Sequence, residues 1–253
     1  MVAVGVSVAL AASQGPRRAA GPTRARRAWH RVFTEDFGHG LRPRRWGRYS
    51  GQPQGDPGGW WDPSHAVVRH GVLNLETYRD PRFGGRWVSG GVSSAPALKQ
   101  RYGRYAVRFR ADGGKGVAVV LLLIASANHW PPEIDFAENG GETQGRPTMA
   151  ATLHYGRRPH THQTQRILRG DFRRWHTMGV RWTPRRLTYT VDGRAWARVR
   201  GAGVPHERME LDLQAQAGTC GDRYAPCPDA STPPLTTLQV DRVTIDAYRR
   251  ARP

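Results

Sequence analysis

Glu133-Ile134-Asp135-Phe136-Ala137-Glu138 places three carboxylates in six residues of a chain that has only 20 acidic residues against 39 basic ones. Ionised acids repel one another and burial raises their pKa, so a fold that clusters them does so at a cost. The stretch follows Trp130-Pro131-Pro132, and further upstream residues 117–124 form a continuous apolar run. That setting places the acids where a buried strand enters a cleft. Side chains alternate faces along a strand, so Glu133 and Asp135 share one face while Glu138, five residues after Glu133, points away. One extra residue, a β-bulge, returns Glu138 to the face of the other two, and bulges are common beside active sites. With the bulge, Glu133 and Glu138 are expected to stand roughly 5–5.5 Å apart, a separation that suits one acid to attack an anomeric carbon and the other to protonate the leaving oxygen. A solvated acidic turn at a strand end is the competing reading of such a short pattern.

The rest of the chain reads as strands. No segment of helical length shows a 3.6-residue apolar period. Tyr105, Val107 and Phe109 alternate with Ala106, Arg108 and Arg110, and Met178, Val180 and Trp182 do the same with smaller or polar neighbours. Leu187, Tyr189 and Val191 lead into Asp192-Gly193, a hairpin turn signal because a tight turn needs positive φ. Met209, Leu211, Leu213 and Ala215 alternate with Glu210, Asp212, Gln214 and Gln216. Strands are also expected at residues 32–37, 71–76 and 238–248, with a Gly/Pro-rich loop over residues 47–63. The continuous run at 117–124 is expected to be covered on both faces by the sandwich. Many short strands with frequent turns argue for an all-β, antiparallel two-sheet sandwich.

A chain of 253 residues with 38% hydrophobic content can bury one substantial core, and one domain is expected over residues 31–253. Residues 2–12 are apolar and end in small residues, as the core of an export signal does, but no basic segment precedes them. They are too short to span a bilayer. Residues 13 to about 30 are rich in Pro, Arg and Ala without periodicity and read as a disordered linker. The formal charge of +19 fits either a footprint for a polyanion or a composition biased toward arginine, since Lys99 and Lys115 are the only lysines. The arginines are dispersed, which favours the second reading and argues against a specific nucleic-acid partner. Cys220 and Cys227 lie in a Gly/Pro/Asp-rich loop with no second ligand pair at metal spacing. A local disulfide, and with it an oxidising compartment, is the better reading; two free thiols are the alternative.

Glu133 to Glu138, with Trp130 before them and Leu153-His154-Tyr155-Gly156 after, resemble the active-site strand of glycoside hydrolase family 16. The two-residue gap between Asp135 and Glu138 resembles its bulged, laminarinase-like branch, and the similarity runs from about Val32 to Tyr248. The resemblance implies a concanavalin A-like jelly roll with the cleft across its concave sheet. It implies Glu133 as nucleophile, Asp135 as assisting acid and Glu138 as general acid/base, with no cofactor required for catalysis. It also implies a structural calcium far from the cleft, held by Asp36, the Gly71 carbonyl and Asp241; two carboxylates so far apart in sequence are equally consistent with ordinary surface residues. Two departures from the family pattern bear on the substrate. Residues 116–120 replace a Trp-Pro-Ala-like segment, and Ser89-Gly90-Gly91 has glycine where arginine is frequent.

Sugar rings pack their C–H faces on aromatic planes, so Trp130 is the leading candidate to line the cleft, with Trp60, Trp61 and Trp87 after it. His154 is either a structural residue of its strand or, from its place in the family's motif, a residue that contacts the sugar or orients Glu138. A metal site built on His154, His160 and His162 is disfavoured by the neighbouring Arg157 and Arg158. The resulting expectation is a secreted, monomeric, endo-acting, retaining hydrolase of a β-1,3 or mixed β-glucan. A transglycosylase, a lectin on the same fold and a polyanion-binding protein are the alternatives.

Overall fold

The structure, a computed structural model, describes residues 29–52, 59–125, 130–218, 220 and 225–249. In chain order the strands are β1 (Trp29–Glu35), β2 (Gly47–Arg48), β3 (Ala66–Arg69), β4 (Val72–Asp80), β5 (Arg86–Ser89) and β6 (Gly91–Ser93). Then come β7 (Gly103–Ala111), β8 (Val117–Ala125), β9 (Glu133–Asn139), β10 (Thr148–Arg157) and β11 (His160–Arg169). The last five are β12 (His176–Thr183), β13 (Arg186–Val191), β14 (Arg194–Arg200), β15 (Met209–Ala217) and β16 (Leu235–Tyr248). Among the described residues the helical content is two single turns, Pro63–His65 and Pro81–Phe83. One sheet runs β14-β13-β12-β7-β16-β4-β3, with β1 pairing β16 and β5 pairing β4; the other runs β11-β10-β9-β8-β15-β6-β2. The paired strands are antiparallel throughout, and the two sheets pack as a jelly-roll sandwich.

The alternation read from the sequence accounts for the packing. Along β7 the odd-numbered residues are buried and the even-numbered ones half-buried. Val107 and Phe109 of the first sheet meet Leu121, Leu123, Phe136, Leu211 and Leu213 of the second in one hydrophobic core, joined by Val180, Trp182 and Val243. The Trp182 indole N–H, fully buried, donates to the Pro205 carbonyl at 3.0 Å, so its burial leaves no donor unpaired. Val191 pairs with Arg194 across a two-residue turn in which Asp192 and Gly193 have φ of 47° and 79°, as the hairpin signal requires.

The structure corrects two of the expectations. The run at 117–124 is buried on both faces, but the sandwich covers only one. Val119, Leu121 and Leu123 enter the core, while Val120 and Leu122 are buried on the opposite face, between the neighbouring strands β9 and β15. Strand β1 also takes in the last two residues of the linker reading. Trp29 and His30 already pair with Tyr248 and Ala247, and the Trp29 and Tyr248 rings lie 5.4 Å apart. The apolar stretch at 2–12 and the linker up to residue 28 lie outside the described residues. Cys220 and Cys227 form a disulfide beyond the end of β15.

Phe136 has no solvent exposure and sits in the core directly behind the acids. Phe136→Ala should therefore destabilise the fold by about 3–5 kcal/mol, the usual cost of emptying a core aromatic site. A urea titration that shifts by less than about 1 kcal/mol would mean that the core does not rest on this side chain.

Candidate active site

The register of β9 shows how the acids come to share a face. Against β8, Leu122 stands opposite Asp135 and Leu121 opposite Ala137; against β10, Thr152 stands opposite Asp135 and Ala150 opposite Glu138. Phe136 therefore has no residue opposite it on β8, and the register shifts at that point on both sides of β9. Ile134, Phe136 and Ala137 all enter the core, whereas Glu133, Asp135 and Glu138 stay out of it. Two consecutive residues turn inward, and the next one, Glu138, is carried back to the cleft.

Two separate sets of partners hold the acids. His154, opposite Glu133 in the register, places Nε2 3.2 Å from Asp135 Oδ2 and 3.8 Å from Glu133 Oε1. The shorter contact is not aligned as a hydrogen bond, so Asp135 Oδ2 is buried without an aligned partner. The Trp130 ring lies 5.4 Å from that of His154, and its side chain is near enough to Glu133 to oppose the rise of that carboxyl's pKa. Glu138 Oε2 accepts from the Thr152 hydroxyl at 3.1 Å, and Thr152 Oγ1 accepts from Gln165 Nε2 at 3.2 Å. The hydrogen bond that orients Glu138 comes from Thr152, while His154 acts on Glu138 through its charge. The only hint in the sequence was that Thr152, two residues from His154, shares its face.

The far end of β9 is clamped. Asn139 Oδ1 accepts from Arg146 Nη1 at 2.6 Å and from the Gly141 amide at 3.0 Å, while Asn139 Nδ2 donates to the Thr148 carbonyl at 3.1 Å. Gly141 has φ of 77°, and a Cβ there would lie 2.5 Å from the Val117 carbonyl oxygen, so no larger residue fits this turn.

All three carboxyls are shifted upward. Burial pushes Glu133 from its ordinary 4.5 to about 9, and the Asp135 and Glu138 charges add to this while His154 opposes it. Burial raises Asp135, with Glu138 adding repulsion. Burial also raises Glu138 against the opposing pull of the Thr152 hydroxyl and His154. Ionising one acid makes the next harder to ionise, so the trio titrates as one unit and keeps a proton near neutrality. Such a cluster can offer a carboxylate and a carboxylic acid at the same pH. Glu133, Asp135 and His154 also bring one ligand atom each within 4.8 Å of one another, a grouping that excludes His160 and His162.

The aromatic candidates divide. Trp130 is exposed beside the acids, and the Arg158 guanidinium lies 5.7 Å from its ring centre. Trp61 reaches the same sheet through an indole N–H donated to the Ala215 carbonyl at 2.9 Å. Trp60 packs against Phe83, 5.9 Å between ring centres. Trp87 is the correction. Its pairing with Arg79 ties it to the other sheet, where it lines an open groove of about 900 Å³ with Tyr78, Arg69, Arg79 and Leu235. Asp36 Oδ1 accepts from the Gly38 amide at 3.1 Å, and a Cβ on Gly71 would lie 3.8 Å from the Asp36 carbonyl oxygen. Asp241 pairs with Arg108 at 2.9 Å.

The family model described as Glycosyl hydrolases family 16 matches residues 58–220. The Endo-1,3-1,4-beta-glycanase ExsH of Rhizobium meliloti (strain 1021) is 27% identical over 171 residues, which cover 62% of this chain and 36% of that protein. The Beta-glucanase of Rhodothermus marinus is 26% identical over 159 residues, 57% of this chain and 52% of the relative. The chain thus spans between about a third and a half of the length of these curated relatives. The laminarinase catalytic domain of Thermotoga maritima shares the fold with a TM-score of 0.74 at 20% identity, covering 88% of this chain and 99% of that one. The endo-beta-1,3-glucanase of Pyrococcus furiosus does so at the same score and identity, covering 96% of that chain.

The direction of the shifts sets a pH dependence of stability. The folded trio holds protons that the unfolded chain has released above its ordinary 4.5, so its cost to the fold grows as pH rises from there toward about 9. Glu133→Gln removes one carboxyl at nearly constant shape. It should stabilise the fold by about 1–3 kcal/mol at pH 8 and by little at pH 4, read from urea titrations at the two pH values. An equal effect at both would show that the acid is not strained in the fold.

Proposed function

The chain belongs to glycosyl hydrolases family 16, and from that premise we propose that it is an endo-acting, retaining hydrolase of β-glucans, of the β-1,3 or mixed-linkage kind. The observation that carries the reading is the bulge at Phe136, which brings Glu133, Asp135 and Glu138 to one face of β9. The reacting form is the one in which the proton kept by the trio sits on Glu138 and Glu133 is ionised; in the first step a Glu133 carboxylate oxygen bonds to the anomeric carbon as the glycosidic C–O bond breaks, and the Glu138 proton passes to the departing oxygen. In the second, Glu138 takes a proton from water, the water oxygen bonds to the anomeric carbon, and the bond to Glu133 breaks. Asp135, buried between them, supports the charge changes of both neighbours by repulsion and by its contact with His154. Trp130 offers a ring to the sugar beside the bond that is cleaved.

Substrate preference toward β-glucans is supported by the relatives, an endo-1,3-1,4-beta-glycanase and a beta-glucanase. A secreted setting is supported by the Cys220–Cys227 disulfide, since such bonds persist in oxidising compartments. Among the described residues no helix is long and apolar enough to cross a membrane. The chain is taken as a monomer in this reading. A structural calcium on Asp36, the Gly71 carbonyl and Asp241 fits oxygen-ligand chemistry only if Asp241 gives up Arg108. A melting temperature that does not respond to calcium or a chelator would remove calcium from the proposal.

Incubation with laminarin, lichenan, agarose, carrageenan, hyaluronan and xyloglucan, with anomeric configuration followed by NMR, tests the whole reading. The expected result is β-anomer release from laminarin or lichenan first, with activity falling at least about a thousandfold in Glu133→Gln and Glu138→Gln while both variants stay folded. Full reducing-end release by Glu133→Gln, or an initial α-anomer, would overturn the assignment. Product masses at high acceptor concentration separate hydrolysis from transfer to a second sugar.

A further inference from the structure

Beyond the acids, the cleft floor continues across β8, β15 and β6. Residues directly opposite one another in paired strands share a face. The register therefore gives one row running Thr152, Asp135, Leu122, Asp212, Ser93 and a second running Ala150, Glu138, Val120, Gln214, Gly91. Asp212 and Gly91 thus lie on the cleft face, two and three strands from the acids. At about 4.8 Å per strand this is roughly 10–14 Å across the floor.

Three observations meet at this place. Gly91 has no side chain, and the Tyr49 ring fills that space: a Cβ on Gly91 would lie 2.4 Å from Tyr49 Cδ2. The Tyr49 amide also donates to the Gly91 carbonyl at 2.9 Å, so backbone and ring are both fixed on the floor. Asp212 is 5% exposed and accepts a short hydrogen bond from the Tyr49 hydroxyl through Oδ2, while its Oδ1 has no aligned partner. Trp61 backs the arrangement, its ring edge-on to Tyr49 at 4.7 Å between centres and its indole N–H held by Ala215. Lys99 pairs with Glu210, the preceding residue on the Asp212 face, at 3.0 Å. A buried carboxyl is costly, and the mechanism gives Asp212 no part; its hydrogen bond to a half-buried tyrosine accounts for its place.

We propose that Tyr49, seated on Gly91 and anchored by Asp212, is the aromatic platform of a sugar subsite remote from the cleaved bond, and that Asp212 is its positioning residue. This rests on the glycan-hydrolase reading for the identity of the ligand, a β-linked glucan segment of several residues. Trp130 borders the cleft on the β10 side of the acids and Tyr49 on the β6 side, so a bound chain meets a ring on each side of the catalytic row. Binding there holds the chain without touching the reacting atoms, so it acts on KM and on where along the polymer cleavage occurs.

The test compares the wild-type chain with Tyr49→Ala, Tyr49→Phe and Asp212→Asn on β-glucan tri- and hexasaccharides, reading kcat, KM, product lengths and hexasaccharide affinity by calorimetry. Tyr49→Ala should raise the hexasaccharide KM about tenfold and leave kcat within about twofold, with a smaller effect on the trisaccharide. Tyr49→Phe and Asp212→Asn should each weaken hexasaccharide affinity about two- to tenfold, the value of one lost hydrogen bond, and shift the product lengths. Unchanged hexasaccharide affinity in folded Tyr49→Ala, or equal losses on both substrates, overturns the platform. If Tyr49→Ala does not fold, wild-type affinity and product lengths in Tyr49→Phe overturn it instead. If the wild type cleaves no β-glucan, the hydrolase reading fails while the calorimetric difference still decides the platform.

Discussion

The extra residue in β9 is the constraint on which the rest of the cleft depends. A regular strand between β8 and β10 would carry the residue five positions after Glu133 into the core. The core instead accepts Phe136 and Ala137 in succession, and Glu138 emerges beside Asp135. The driving force is apolar burial: Phe136 is fully enclosed, and its contacts with the opposite sheet set the strand's path. Once that path is set, the repulsion between three buried carboxyls is imposed by packing, and the cleft has to accommodate it. Asn139, Arg146 and Gly141 hold the strand end against it.

How the site accommodates that charge is informative. The chain carries a net charge of +19, yet among the described ion pairs the partner of the acids is the His154 imidazole and no arginine, and the Arg158 guanidinium lies at the rim, over Trp130. Most of the arginines that form ion pairs do so far from the cleft, with Glu35, Glu76, Asp80, Asp171, Asp241 and Asp246. An arginine placed directly on the trio would pull the carboxyl pKa values down and remove the proton that acid catalysis delivers. The acids are held by a neutral hydroxyl and an imidazole, which orient them at a smaller electrostatic cost. The basic surface and the acidic cleft are thus separate features, in line with the dispersed arginines of the sequence.

The cleft is asymmetric about the acids. On the β10 side the wall is Trp130 with His154; on the β6 side it is Tyr49 with Trp61, over a floor of Val120 and Leu122. A glycan lying across it would meet rings at both ends and carboxyls in the middle, the division of labour expected when binding and chemistry are assigned to different residues. The Gly90-Gly91 departure from the family pattern is explained physically on this side, because the Tyr49 ring takes the space that a side chain at Gly91 would occupy.

Local pattern was enough to read the strands, the Asp192-Gly193 turn, the two-sheet class and the acid trio, because each rests on periodicities of two residues and on dihedral preferences carried by single residues. The bulge was legible too, since the spacing of Glu133, Asp135 and Glu138 allows no other way to place them together. Thr152 as the partner of Glu138, the departure of Trp87 to the far sheet, and the meeting of Tyr49 with Gly91 and Asp212 were not legible. Tyr49 and Asp212 are 163 residues apart, and their contact arises because β2, β6 and β15 are neighbours in one sheet. Which strands lie side by side is decided by how two whole faces bury each other, a property of the assembled core that no single stretch of the chain contains.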